Sequence, residues 1–250
     1  MKLQNKVAIV TGGARDLGRA VSLRLASEGA KVVVNYFDNE QDAVETCRMI
    51  ADLGSESMMI QGDMTKAADV KRLVEEATAH FGNEIHVLVN VVGGLVGRKK
   101  ITEQDEAWYN FLMDVNMKSC WLMTREVVPH MPKGSAIINF SSLAARDGGG
   151  AGASMYATAK GAVAVFTRAM AKELGPDGIR VNAVAPGTIA TSFHDRFNTP
   201  ENRERMRQGY PLRREGDAGD VADLVCFLAS DDSDYLTGTN IDINGGSFFS

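Results

Sequence analysis

Val7-Ala8-Ile9-Val10-Thr11-Gly12-Gly13-Ala14-Arg15-Asp16-Leu17-Gly18-Arg19-Ala20-Val21 reads as a strand, a glycine turn and the opening of a helix. The run Val7–Thr11 is short, apolar and rich in β-branched residues, which suits a strand buried on both faces. Where such a strand meets a helix N-terminus, free backbone N–H groups and the helix dipole together favour an anion. Glycines let the backbone come close to a pyrophosphate. Taken alone, the same segment is also an ordinary tight strand-to-helix connection, so the flanking sequence has to decide.

The flanking sequence repeats the alternation. Further strands are expected at Lys31–Asn35, Ser57–Gln61, His86–Asn90, Ala136–Phe140, Arg180–Ala185 and Asn240–Ile243. Amphipathic helical patterns fall between them, at Leu17–Glu28, Glu40–Leu53, Ala67–Phe81, Glu103–His130, Ser154–Leu174 and Ala218–Ala229. Runs such as Val32-Val33-Val34 and Val87-Leu88-Val89 are apolar on both faces, as a helix-covered parallel sheet requires. The predicted fold is α/β: a single-domain, Rossmann-type, doubly wound parallel sheet of seven strands with helices on both faces, spanning residues 1–250. The one long irregular stretch, about 187–216, carries Pro200, Pro211 and the charged run Glu201–Arg205, and is expected to be a substrate lid.

Composition narrows the function classes. A net charge of −5 without a basic stripe argues against nucleic acid. The absence of a long apolar run or a signal-like segment argues against a membrane and for a soluble, cytoplasmic protein. Cys47, Cys120 and Cys226 are far apart and lack metal-ligand spacing; they read as reduced thiols, and no metal site is expected.

The chemistry sits near the middle of the chain. Tyr156 and Lys160 stand four apart at the start of a predicted helix, so they share a face. A phenol can protonate an oxyanion, and an ammonium beside it can lower the phenol's pKa. Upstream, Ile137-Ile138-Asn139-Phe140-Ser141-Ser142 ends an apolar strand with two hydroxyls that can hold a substrate oxygen. On spacing alone, a tyrosine and a lysine four apart more often make a solvated helix face or a half-buried phenol.

In order along the chain, these motifs resemble the short-chain dehydrogenase/reductase family. Thr11-Gly12-Gly13-Ala14-Arg15-Asp16-Leu17-Gly18 is similar to the family's Thr-Gly-x-x-x-Gly-x-Gly turn, with Asp16 in place of the middle glycine. An aspartate there is expected to N-cap the helix starting at Leu17. Asp63 and Met64 follow the third strand, where the family contacts the adenine. Asn90-Val91-Val92-Gly93 stands for the family's Asn-Asn-Ala-Gly, keeping Asn90 and Gly93 but departing at Val91 and Val92. Pro186-Gly187-Thr188-Ile189-Ala190-Thr191 matches the segment that lies along the nicotinamide.

The resemblance implies a catalytic tetrad of Asn116, Ser142, Tyr156 and Lys160. Tyr156 would be the general acid in carbonyl reduction and Lys160 would bind the nicotinamide ribose. Ser142 would hold the substrate oxygen, and Asn116 would support a proton relay. The cofactor-binding set implied is Gly12, Arg15, Asp16, Leu17, Gly18, Tyr36, Asp63, Met64, Asn90, Gly93, Tyr156, Lys160, Pro186, Gly187, Ile189 and Thr191. The second strand leads into Tyr36-Phe37 without an acid at the usual place, and Arg15 lies where NADP-preferring relatives are basic. NADP(H) is therefore favoured over NAD(H), although Asp38 follows closely. The resemblance also implies a homotetramer built through the long fourth and fifth helices and the C-terminal strand.

For the substrate, Gly93-Gly94-Leu95-Val96-Gly97-Arg98-Lys99-Lys100 emerges at the carboxyl ends of the strands. Arg98 can hold a carboxylate in a bidentate fork, or be part of a solvated lead-in with the two lysines. With Gly148-Gly149-Gly150 and the Gly187…His194 segment, this loop resembles bacterial short-chain reductases of 4-deoxy-L-erythro-5-hexoseulose uronate, an α-keto acid from alginate breakdown. That implies a small-molecule carbonyl substrate bound by Arg98, Ser142, Gly149 and His194, and 2-keto-3-deoxygluconate as product. Alternatives stand beside it: a 3-oxoacyl-[acyl-carrier-protein] reductase or another sugar or keto-acid short-chain reductase, and, from a different class, a non-catalytic dinucleotide sensor.

Overall fold

The seven strands are β1 (Val7–Thr11), β2 (Lys31–Tyr36), β3 (Ser57–Gln61), β4 (Val87–Asn90), β5 (Ala136–Phe140), β6 (Arg180–Pro186) and β7 (Asn240–Ile243). In the computed structural model, which describes residues 1–191 and 199–249, they form one parallel sheet in the order β3-β2-β1-β4-β5-β6-β7. Helices α1 (Asp16–Ser27), α2 (Glu40–Asp52), α3 (Ala67–Phe81), α4 (Glu106–Met113), α5 (Ser119–Val127), α6 (Ala144–Asp147), α7 (Ser154–Leu174), α8 (Pro200–Gly209) and α9 (Ala218–Ala229) connect and cover it.

The two-residue period of a strand explains why uniformly apolar runs were needed. Ala8, Val10, Val32, Val34, Val87 and Val89 point into one core with α1, α2 and α9. Ile9, Val33, Leu88, Ile137 and Val181 point into the other, with α3, α5 and α7. Each fully buried Val, Leu or Ile contributes about 1.5–3 kcal/mol. Helix starts are fixed locally: Asn39, Asp105, Thr199 and Asp217 accept hydrogen bonds from backbone N–H groups in their first turns. β1 lies between β2 and β4, so the chain reverses direction across the sheet there and leaves a crevice at the strands' carboxyl ends.

Two expectations need correction. The single helix over Glu103–His130 is instead a short 3-10 turn at Ile101–Glu103, then α4, a π turn over Asp114–Lys118, α5 and a last 3-10 turn at Val128–His130. One residue is looped out of the helical ladder at the π turn, and Asn116 sits in it. The stretch 187–216 is not irregular throughout, because it holds α8. That helix is charged nearly all round, so no apolar period announced it. Ile189 and Gly216 form a parallel bridge that closes the base of the segment.

Among the described residues no helix is long and apolar enough to cross a membrane. All three cysteines are free thiols.

At the opposite end of the sheet, the Val7 N–H donates to His86 Nδ1 at 3.1 Å. That bond requires an unprotonated Nδ1. Burial and the neighbouring Lys6 charge hold His86 below its ordinary value, with Glu84 opposing. A histidine whose folded pKa is depressed contributes stability above its unfolded pKa of about 6.5 and loses it as the pH falls through the folded value. Unfolding free energy should therefore decline below about pH 6.5. His86→Asn, which keeps an acceptor, should flatten that part of the profile in urea titrations; an unaltered slope in the variant would remove His86 as the cause.

Candidate active site

The glycine turn is shaped by backbone contacts that leave no room for side chains. A Cβ on Gly18 would lie 1.9 Å from the Gly12 carbonyl oxygen, so α1 can approach β1 only with glycine there. Gly12 has φ +60, and its N–H donates to Asn35 Oδ1 at 3.0 Å. The Gly13 N–H donates to the Asn35 carbonyl at 2.9 Å. The Asn35 Nδ2 group reaches the Ile60 and Gly62 carbonyls, so this buried amide ties the turn to β2 and β3. Asn35 was not singled out in the sequence. Its signal was a polar residue inside the apolar run Val32–Tyr36, where burial demands a partner.

Asp16 was expected to cap a helix starting at Leu17. Helix α1 begins at Asp16 itself, with Arg15 in the capping position and no side-chain cap hydrogen bond. Asp16 takes φ +48, the left-handed backbone that glycine favours and that aspartate tolerates better than most residues. The aspartate thus supplies the family glycine's backbone shape.

On the facing side, α7 presents Tyr156 and Lys160 one turn apart. Lys160 is buried, and its ammonium donates to the Phe140 carbonyl at 2.8 Å. Burial pushes its pKa down to about 8. Burial also raises the Tyr156 phenol, and a hydrogen bond with Ser142 offsets this only in part. Lys160 is not among the groups that lower the phenol here. Ser142 Oγ also accepts the Ala144 N–H at 3.1 Å, which fixes the hydroxyl beside the phenol. Ser141 is engaged elsewhere, donating to the Lys160 carbonyl at 3.0 Å.

Asn116 projects from the π turn and is buried. Its Oδ1 accepts the Gly94 N–H at 2.8 Å, and its Nδ2 donates to the Gly94 and Leu112 carbonyls, both at 3.0 Å. It therefore grips the loop after β4. A Cβ on Gly93 would meet Asn116 Oδ1 at 2.6 Å and Lys160 Nζ at 2.7 Å, so that glycine is what lets loop, asparagine and lysine converge.

A cavity of about 600 Å³ joins these parts. Its far end is lined by Gly12, Arg15, Asp16, Leu17, Gly18 and Tyr36. Its middle is lined by Gly93, Ser142, Tyr156 and Lys160, with Pro186, Gly187, Ile189 and Thr191 along one wall. Arg98 and Gly149 line the near end.

Four expected residues do not line the cavity. Asp63 Oδ1 accepts both the N–H and the hydroxyl of Thr65, and Met64 is packed into the second core. Asn90 donates to Asn139 Oδ1 at 2.9 Å within the sheet, and Asn116 stands behind Gly93 and Gly94. His194 lies outside the described residues. The sequence reading passed over Asn39 and Asp42 at the far end, and Leu95, Val96 and Asp147 at the near end. Val91 and Val92 also line it, and both of their N–H groups donate to Thr11 Oγ1. Their departure from the family pattern therefore leaves the loop anchored by its backbone. Among the described residues no group of His, Cys, Asp or Glu is arranged to hold a metal.

A family model described as enoyl-(acyl carrier protein) reductase matches residues 12–247. The chain is 35% identical over 246 residues to a 3-oxoacyl-[acyl-carrier-protein] reductase of Staphylococcus epidermidis, covering 98% of this chain and 99% of that one. Among solved structures it is similar to a short-chain dehydrogenase/reductase of Serratia marcescens, at 32% identity, TM-score 0.93 and 99% coverage of both chains. It is also similar to an NADH-dependent reductase responsible for alginate metabolism, at 33% identity, TM-score 0.91 and 99% coverage of both.

Keeping Lys160 charged out of water costs stability. The cost is full below about pH 8, where the lysine is protonated both folded and unfolded, and fades as the pH rises from there toward its ordinary value. Lys160→Met should therefore raise the unfolding free energy near neutral pH by about 1–3 kcal/mol. The advantage should shrink above about pH 8; a variant less stable than the parent at neutral pH would refute the argument.

Proposed function

The chain belongs to the short-chain dehydrogenase/reductase family, and on that premise we propose that it is a cytoplasmic, NADP(H)-preferring carbonyl reductase acting on a keto-uronate. The preferred reaction is reduction of 4-deoxy-L-erythro-5-hexoseulose uronate to 2-keto-3-deoxygluconate. As a family member the protein is an oxidoreductase that uses a nicotinamide dinucleotide. The observation that carries the reading is the convergence of Ser142, Tyr156 and Lys160 on the cavity that begins at the glycine turn.

The turn fits the cofactor's pyrophosphate: Gly12 takes a left-handed φ that favours glycine, a side chain is excluded at Gly18, and the α1 N-terminus opens beside them. Arg15 at the same end suits a 2′-phosphate, and β2 ends in Tyr36 rather than an acid. Asp42, an acid of α2 that lines the cavity, is engaged by Arg19 and Asn39. When bound, the reduced nicotinamide supplies the hydride. Tyr156 delivers its phenolic proton to the substrate oxygen, and Ser142 holds that oxygen by a hydrogen bond. With the cofactor bound, Lys160 would hold the ribose, and its charge beside the phenol would favour the phenolate. Asn116 keeps the Gly93–Gly94 loop in place behind the tyrosine and lysine.

Arg98 at the near end supports an anionic substrate, and the likeness to the alginate-metabolism reductase supports a keto-uronate. That relative is NADH-dependent, so the cofactor preference rests on Arg15. The segment at about 187–216 would close over the substrate. Its far part is held by the Thr188–Tyr210 hydroxyl pair at 2.6 Å and the Arg203–Glu215 ion pair at 2.5 Å. A homotetramer is supported by the exposed aromatic residues Tyr109, Phe111 and Trp121 on α4 and α5. The second reading, 3-oxoacyl-[acyl-carrier-protein] reduction, is favoured by the staphylococcal relative. A non-catalytic sensor is disfavoured because all four tetrad side chains are present.

NADPH oxidation with the keto-uronate, acetoacetyl thioesters and neutral sugars separates these readings; turnover of the thioester alone would refute the first. Tyr156→Phe should retain NADPH binding but lose at least about 100-fold in turnover; near-normal turnover would sink the mechanism. Arg15→Ala should weaken NADPH binding, measured by nucleotide fluorescence, roughly tenfold while sparing NADH. An unchanged ratio of the two affinities would reject the NADP(H) assignment.

A further inference from the structure

The near end of the cavity is bounded by two loops that cross and touch. The Lys99 N–H donates to the Gly152 carbonyl at 3.2 Å, and the Arg98 guanidinium donates to the Ala151 carbonyl at 3.0 Å. The first loop is braced from behind. Lys99 Nζ lies 4.7 Å over the Trp108 ring, and Gln104 Nε2 donates to both the Lys99 carbonyl and Ser154 Oγ, each at 2.9 Å. One hydrogen bond leaves the guanidinium with other N–H donors, since it has five in all.

What seats that guanidinium is the lack of a side chain opposite it. A Cβ on Gly150 would lie 3.0 Å from Arg98 Nη1 and 3.5 Å from Nη2. The neighbouring glycines are required by their backbone: Gly148, Gly149 and Gly152 have φ of +84, +70 and +77. Gly150 has no positive φ, so an L-residue meets no backbone strain there. Its smallness is used for space, and the space is taken by the Arg98 side chain. Asp147 lines the same end, and its Oδ1 accepts the Gly149 N–H at 2.8 Å, which braces the second loop independently of Arg98.

We propose that Gly150 is a specificity-determining position: it provides the bare surface on which the Arg98 guanidinium rests, facing the cavity, so that selection of an anionic carbonyl compound depends on this arginine–glycine pair. The inference rests on the proposed reading that Arg98 binds the substrate's carboxylate. Filling the surface displaces the flexible end of Arg98 and leaves the glycine turn at the far end untouched. Gly150 is a positioning residue, because it acts through Arg98.

The test compares KM for 4-deoxy-L-erythro-5-hexoseulose uronate and for its methyl ester, which lacks the charge, in Arg98→Ala, Gly150→Val and the double variant. Losing a charge-assisted contact should raise the Arg98→Ala KM for the acid roughly ten- to hundredfold, and that for the ester far less. Gly150→Val should show the same acid-selective rise, and the double variant should be no worse than Arg98→Ala alone, because both changes remove one interaction. Gly150→Ala, a smaller intrusion, should give a weaker rise of the same kind and serves if the valine variant does not fold. A rise equal for acid and ester, or additive effects in the double variant, would overturn the role of Gly150 while leaving the substrate reading intact. An Arg98→Ala variant that does not distinguish acid from ester would overturn the anionic-substrate reading, and this inference with it.

Discussion

Holding a lysine almost entirely out of water governs the architecture around it. Lys160 has about 4% of its surface exposed, and its ammonium rests on the carbonyl of Phe140, the last residue of β5. A buried charge is tolerated only when polar groups are held close to it. The loop after β4 passes close to the same ammonium, which requires a bare Gly93, and something must hold that loop in place. Asn116 does so, from a π turn that interrupts the helix between α4 and α5. The lysine, the glycine, the asparagine and the strand end form one solution to one electrostatic problem. The stability given up there is what makes a group with a pKa near 8 available beside a phenol.

The fold was legible because its information is periodic. The central strands were visible as apolar runs, and alternate residues of those runs do separate into the two cores. What escaped was aperiodic. The π turn arises from one extra residue within a long helical pattern and leaves no mark in hydrophobic spacing. Helix α8 is polar on nearly every side, so its charges looked like a loop. The site was legible where spacing is itself the chemistry, as at Tyr156 and Lys160. It was not legible where long-range contacts define it, as for Asn35, whose amide matters only because Gly12 and Gly62 come to it from distant segments. Asp63 and Asn90 illustrate the converse: motif residues whose observed hydrogen bonds stabilise a turn and a strand pair rather than face the cavity.

The two ends of the cavity achieve order by different means. At the far end it comes from backbone: φ-restricted turns, carbonyls and N–H groups with little freedom to adapt. At the near end it comes from long side chains leaning on a glycine-rich loop, with Lys99 stacked on Trp108 and Gln104 bridging to Ser154. The rigid end suits a constant partner. The side-chain end can be altered by one or two substitutions without disturbing the sheet.

The strand order has a kinetic consequence. β1 emerges first but ends in the middle of the sheet, and its neighbour β4 lies some eighty residues further along the chain. Parallel pairing across such separations is slow to nucleate, because loop closure must precede the contacts that reward it. The cavity takes its walls from the turn after β1, the loops after β4 and β5, and the end of β6. A nascent or partly refolded chain can therefore hold a well-formed glycine turn and still lack any place for a substrate, so recovery of activity should be the last signal to appear during refolding.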